Sequence, residues 1–200
     1  MAKNLKLSIA QAPLSFQAPY SKGSTNLGEW KLEISQNVLT SHLDAHKKAR
    51  LLEKKILSIT DTSTEQDRTK TQIQDLSAAT ISLEALAVDT FSMFEFQMQH
   101  YFKRGPFARK LKTLLLEADQ PDLANRFHQF YLAINVLKHG KGASYRELLQ
   151  TKNLYFVINR TTGSPLKKDL SPTLIEISIP GFFENMIITM TDAYHFLTKR

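Results

Sequence analysis

Apolar residues recur at helical spacing along most of this chain. Over residues 29–58, Trp30, Ile34 and Val38 stand four apart, and Leu39, Leu43, Leu51, Leu52 and Ile56 continue an apolar side, which predicts an amphipathic helix. The polar run from Asp61 to Asp67 breaks that pattern, and Ser63 or Thr64 is placed to cap the next helix. That helix is predicted over 65–102. Its first half is polar, and its second half carries Leu83, Leu86, Ala87, Phe91, Phe94, Met98, Tyr101 and Phe102. Apolar residues around so much of the circumference mark a central helix, with Glu84, Asp89 and Glu95 on its polar side. Gly105-Pro106 ends it and opens another helix reaching residue 118, because proline suits a first helical turn. Gln120-Pro121-Asp122 begins a further helix over 123–139, whose core stripe is Phe127, Phe130, Tyr131, Ile134 and Leu137. Gly140 and Gly142 are helix-ending residues, and Ser144 is placed to cap a short helix over 145–150.

The tail changes character. Residues 154–158 and 173–179 are rich in β-branched and aromatic side chains, and the stretch between them carries Gly163, Pro165 and Pro172. A two-stranded antiparallel hairpin is predicted over about 154–179, followed by a helix over 181–198 with Phe182, Phe183, Met186 and Met190 inward. Residues 1–28 mix Pro, Ser, Gln and Gly and read as an extended arm, with a short strand over 5–9. The remainder, 29–200, reads as one helical domain. The expected class is therefore mainly α, a helical bundle with a small β-hairpin and a final helix.

Composition narrows the chemistry. A hydrophobic fraction of 42% supports a sizeable core, and the absence of cysteine excludes a disulfide framework and thiol catalysis. No run of about 18 apolar residues predicts a membrane span, and the first residues lack the long apolar centre of a signal peptide. A cytoplasmic protein is expected. The net charge of +7 is unevenly placed. Residues 100–152 hold ten Lys or Arg against four acids, a local excess of six that favours phosphate-bearing partners such as RNA or nucleotides. A solvated basic face with no ligand would give the same count.

One stretch concentrates the candidate chemistry: Asn135-Val-Leu-Lys-His-Gly-Lys-Gly142. On a wheel of about 100° per residue, His128, Asn135 and His139 fall on one stripe beside the apolar one, and Lys138 points towards the apolar side, where it either snorkels at the helix end or serves a site. His139 ends the helix, where the backbone dipole favours an imidazolium, so it is the acid–base candidate. Asn135 is placed to orient a phosphate or the ring. Lys138, Lys141, Arg146 and Arg126 are the phosphate- or RNA-binding candidates. A terminal histidine that only caps carbonyls is the plainer alternative. No metal and no cofactor are expected. His128 and His139 lie roughly 16 Å apart along a helix, too far to share one ion, and no HExxH pair, Gly-x-Ser-x-Gly elbow or phosphate-binding Gly-x4-Gly-Lys loop occurs.

The long aromatic helix, the helix pair after it and Asn-Val-Leu-Lys-His-Gly resemble the HEPN superfamily (higher eukaryotes and prokaryotes nucleotide-binding), over about 65–150. The resemblance implies a helical bundle that dimerises. It also implies metal-independent endoribonuclease activity of toxin–antitoxin or phage-defence type, with an antitoxin or other protein as partner. His139 matches the motif histidine and Asn135 the polar residue of the family's R-x4–6-H pattern. The motif arginine is missing: its permitted places hold Leu132, Ala133 and Ile134. In the family that arginine supports the phosphate during attack, and such electrostatic support is often the largest catalytic term. Lysine is a poorer substitute because it lacks the bidentate fork. Two rival readings stay open: a non-catalytic helical interaction module, and a nucleotide-binding sensor using the same lysines.

Overall fold

The computed structural model describes residues 27–62, 67–159 and 173–199. It is mainly α-helical. In chain order the elements are α1 (Leu27–Thr62), α2 (Lys70–Met98) with a 3-10 turn at Gln99–Tyr101, α3 (Phe107–Glu117), α4 (Pro121–His139), α5 (Ala143–Gln150), β1 (Val157–Ile158), β2 (Ile175–Glu176) and α6 (Phe182–Thr198). The arm expected over 1–28 lies, except for residues 27 and 28 inside α1, outside the described residues, as does most of the predicted hairpin loop.

The helices follow the apolar periodicity, and their ends follow local chemistry. α2 starts later than residue 65. Its cap is Thr69, not Ser63 or Thr64: the Thr69 hydroxyl accepts from the Gln72 backbone N–H at 3.3 Å, while the Thr69 N–H donates to Gln72 Oε1 at 2.8 Å. This reciprocal pair satisfies two of the donors that a helix start leaves open. α5 begins at Ala143, one residue ahead of Ser144, so Gly142 and not Ser144 occupies the cap, with no side-chain hydrogen bond. Gly140 closes α4 at φ +70, and its N–H donates to the Val136 carbonyl at 2.7 Å. That backbone conformation suits glycine.

α1 and α2 run antiparallel, as Lys55 with Asp75 and His42 with Phe94 establish at two points along them. α4 is the centre of the bundle, packed by α2, α3, α5, α6 and β2. Two aromatic groups hold it. Phe127 meets Phe91, Phe94 and Phe107 at centroid distances of 5.6, 6.3 and 5.9 Å. Phe130 meets Phe156 and Phe182 at 5.5 and 5.6 Å, tying the hairpin and α6 to the same helix. Each buried Phe contributes about 1.5–3 kcal/mol by leaving water, and ring pairs at these separations add roughly 0.5–1.5 kcal/mol.

The hairpin is shorter than its sequence predicts. Among the described residues Val157–Ile158 and Ile175–Glu176 pair, antiparallel, with Val157 opposite Glu176 and Ile158 opposite Ile175, and the Asn159 N–H donates to the Leu174 carbonyl at 3.0 Å. Residues 153–155 are drawn off by Gln129, a buried side chain of α4. Its Nε2 donates to the Asn153 carbonyl at 3.4 Å, and its Oε1 accepts from the Tyr155 N–H at 3.2 Å. Beyond the pairing, Ile177 N–H turns back to the Ile175 carbonyl at 3.0 Å and ends the strand. No helix among the described residues is long and apolar enough to cross a membrane.

Candidate functional site

α4 is buried around most of its girth, and apart from half-buried Leu137 the side chains that reach its surface near the C-terminal end are polar. His128, Tyr131 and Asn135 are partly exposed, and Lys138 and His139 are exposed. At about 100° per residue all five lie within about 60° of Asn135, so they form one strip. The expected alignment of His128, Asn135 and His139 is thus an accessible face. Lys138, which the wheel puts towards the apolar side, is exposed at the helix end and lies near the half-buried Glu95 of α2.

Two neighbours flank the strip. On one side His128 Nε2 lies 2.7 Å from Glu147 Oε1 of α5, and the His128 ring lies nearly parallel to Tyr131 at 6.4 Å. α5 is itself anchored, because the buried Tyr145 hydroxyl donates to the Asn159 carbonyl at 2.9 Å. On the other side lies Glu95 of α2. Burial pushes its carboxyl above the usual carboxylate range, and the nearby Lys138 ammonium offsets part of that rise. A half-buried carboxylate that meets a cation is one whose proton affinity responds to whatever binds the cation.

Lys141 lies in the link between α4 and α5, and Arg146 in the first turns of α5; both are exposed. Asn135, Lys138 and His139 share the C-terminal end of α4, and Lys141 follows in the link to α5; Arg146 stands further on, next to the Glu147 that reaches back to His128. Arg126 does not join them. It sits thirteen residues before His139, about 20 Å along the helix and on a different side of it. There its guanidinium pairs with Asp192 of α6 at 3.0 Å and lines a separate cleft with His195 and Lys199.

The missing arginine has a structural reason. Leu132, Ala133 and Ile134 are 3%, 0% and 1% exposed, so those positions belong to the core and a guanidinium there would be buried in it. Among the described residues the cations nearest His139 along the chain are Lys138 and Lys141, with Arg146 in the first turn of α5. Among the described residues no group of three or more His, Asp or Glu is gathered to hold a metal ion.

Two contacts of the strip were not foreseen from the sequence: the Glu147 partner of His128 and the Glu95 neighbour of Lys138. Each joins residues on different helices, and periodicity along one helix carries no signal of them. The end of α4 and the link after it offer an exposed imidazole, an amide and two lysines, groups of the kind that bind a phosphate and move a proton. Comparison with models of known families, with curated proteins and with solved structures finds no match for this chain.

Proposed function

We propose that this chain is a HEPN-like cytoplasmic protein that engages RNA, as a homodimer, through the corner where α4 meets α5. The observation that carries the reading is the exposure of Asn135 and His139 on one strip, with Lys138 beside them, Lys141 in the link that follows and Arg146 exposed in the first turn of α5. Lysines serve phosphates as point charges and Arg146 as a planar fork. His139 is the acid–base residue and Asn135 orients the phosphate or the ring. In cleavage, the RNA 2′-oxygen bonds to phosphorus as the 5′-oxygen leaves. A proton is taken from the 2′-hydroxyl and another is given to the leaving oxygen; His139 performs one of these transfers and water the other, without a metal, which leaves a 2′,3′-cyclic phosphate and a 5′-hydroxyl.

A second reading, a non-catalytic interaction module, is favoured by one observation: the places where the motif arginine would stand are core positions. The experiment that separates the two measures RNA cleavage and RNA binding by wild type and His139→Ala in EDTA. Cleavage lost in His139→Ala, with binding and helical circular dichroism retained, supports the nuclease. Salt-dependent binding without cleavage from either protein supports RNA engagement alone. Absence of both overturns the RNA reading and leaves the interaction module.

A further inference from the structure

A cavity of about 220 Å³ opens where the β1–β2 hairpin meets the start of α6. Tyr155, Phe156 and Phe182 bring rings to its lining, Val157 and Ile179 bring aliphatic groups, and Glu176 is its one charged residue among those described. It shares no residue with the strip on α4 or with the Arg126 cleft. At about 30 Å³ per water molecule it has room for roughly seven of them, which suits a guest smaller than a drug-sized ligand. The wall is stiff. Phe156 and Phe182 meet each other at 5.5 Å, and they meet the core ring of Phe130 at 5.5 and 5.6 Å. Tyr155 has its backbone N–H held by Gln129, while the residue stays 41% exposed at the mouth.

The carboxylate decides what such a wall selects. Asn159 Nδ2 donates to Glu176 Oε2 at 3.1 Å, and the Ser178 hydroxyl donates to Oε1, so the group is held in place. Among the described residues no Lys, Arg or His forms an ion pair with it, although the chain carries 26 Lys and Arg against 19 acids. Glu84 of α2 adds a second negative group nearby: burial raises its carboxyl above the usual range, and Glu176 raises it further. A half-buried carboxylate without a cation, set beside three aromatic rings, attracts an organic cation. A primary ammonium brings three N–H donors that need acceptors, and the lining side chains supply only the Glu176 carboxylate and the Tyr155 hydroxyl. A quaternary ammonium carries the charge without donors, and its methyl groups gain from apolar walls. We infer that this cavity binds a small quaternary ammonium compound, with Glu176 as its counter-charge and Tyr155, Phe156 and Phe182 as its aromatic walls. The inference goes beyond the RNA reading, and no step of it requires RNA.

Calorimetric titration of the full chain with choline, in the absence of RNA, tests the site. Choline is expected to saturate it with a Kd of about 1 mM or tighter. Dimethylbutanol, which puts a neutral carbon in place of the charged nitrogen, and ethanolamine, which has a primary ammonium, are each expected to bind at least about tenfold more weakly. Glu176→Gln keeps the shape and removes the charge, and should weaken choline at least about tenfold. Tyr155→Leu keeps an apolar wall and removes the ring, and should weaken it about three- to tenfold. Helical circular dichroism and melting should stay unchanged in both, since neither residue belongs to the buried core. No saturation by choline up to about 20 mM, equal binding of either analogue, or indifference to either substitution overturns the inference. If a substitution lowers the melting temperature, the two analogues titrated into wild type decide the question. Failure of the RNA reading leaves this result interpretable, because no RNA enters the assay.

Discussion

Acidification tests how α1 is held to the bundle, through His42. The ring is 4% exposed, lies 5.7 Å from Phe94, and places Nδ1 3.1 Å from the Thr191 hydroxyl of α6. Its Nε2 finds no hydrogen-bond partner among the described residues. Burial lowers its pKa from 6.5 to about 4. The folded chain therefore takes this proton less readily than the unfolded chain. The stability that the neutral ring contributes is complete above pH 6.5 and drains away as pH falls from there through about 4. At about 1.4 kcal/mol per pH unit the difference is about 3 kcal/mol, a large share of the roughly 5–15 kcal/mol that holds an ordinary domain.

Carboxylates of opposite sign sit in the same bundle. Burial raises Glu53, with Arg50 and His46 offsetting the rise and Glu184 adding to it. Burial also raises Glu84 and Glu95. These groups favour the folded chain as pH falls, so the wild-type curve alone mixes both signs. His42→Leu removes one of them. Urea unfolding followed by circular dichroism, at about pH 7, 5.5 and 4, gives the stability of each protein. Wild type is expected to lose about 3 kcal/mol more than His42→Leu over that span. Equal losses would refute the reasoning, because the ring would then be accepting its proton at no cost.

Phe127→Ala should destabilise by about 3–5 kcal/mol, since three rings pack on that side chain, and urea denaturation checks it. Thr69→Ala should cost about 1 kcal/mol by removing the capping box of α2, visible as a lower melting temperature with unchanged native helicity. Lys141→Ala should weaken RNA binding and reduce its log–log salt slope by about one, while Arg126→Ala, whose guanidinium is held by Asp192, should leave both unchanged. Fluorescence anisotropy over a salt series separates these two substitutions.

The helices were legible because burial writes a period into the sequence. Phe127, Phe130 and Ile134 of α4 and Leu83, Ala87 and Phe91 of α2 are buried where that period places them. The glycine at 140 was legible because a left-handed backbone leaves few alternatives. Element ends were less so. Ser63, Thr64, Thr69 and Ser144 are all chemically able to cap; Thr69 has Gln72 three residues on to complete the reciprocal pair, and α5 already encloses Ser144. The β segment was overextended because Leu154, Tyr155 and Phe156 carry strand-like side chains, while buried Gln129, on a distant helix, takes up the backbone groups at Asn153 and Tyr155. At the candidate site, the strip of His128, Asn135 and His139 follows from helical geometry alone. The contacts of His128 with Glu147 and of Arg126 with Asp192 depend on how helices pack, which no single-helix pattern records.

The most direct test of the RNA reading is cleavage and binding of a single-stranded RNA by the full chain in EDTA, with His139→Ala beside wild type and helicity and oligomeric state checked in both. The expected result is RNA binding that falls with salt and, for wild type alone, cleavage that survives the chelator. No salt-dependent binding and no cleavage from a correctly folded wild type would contradict it.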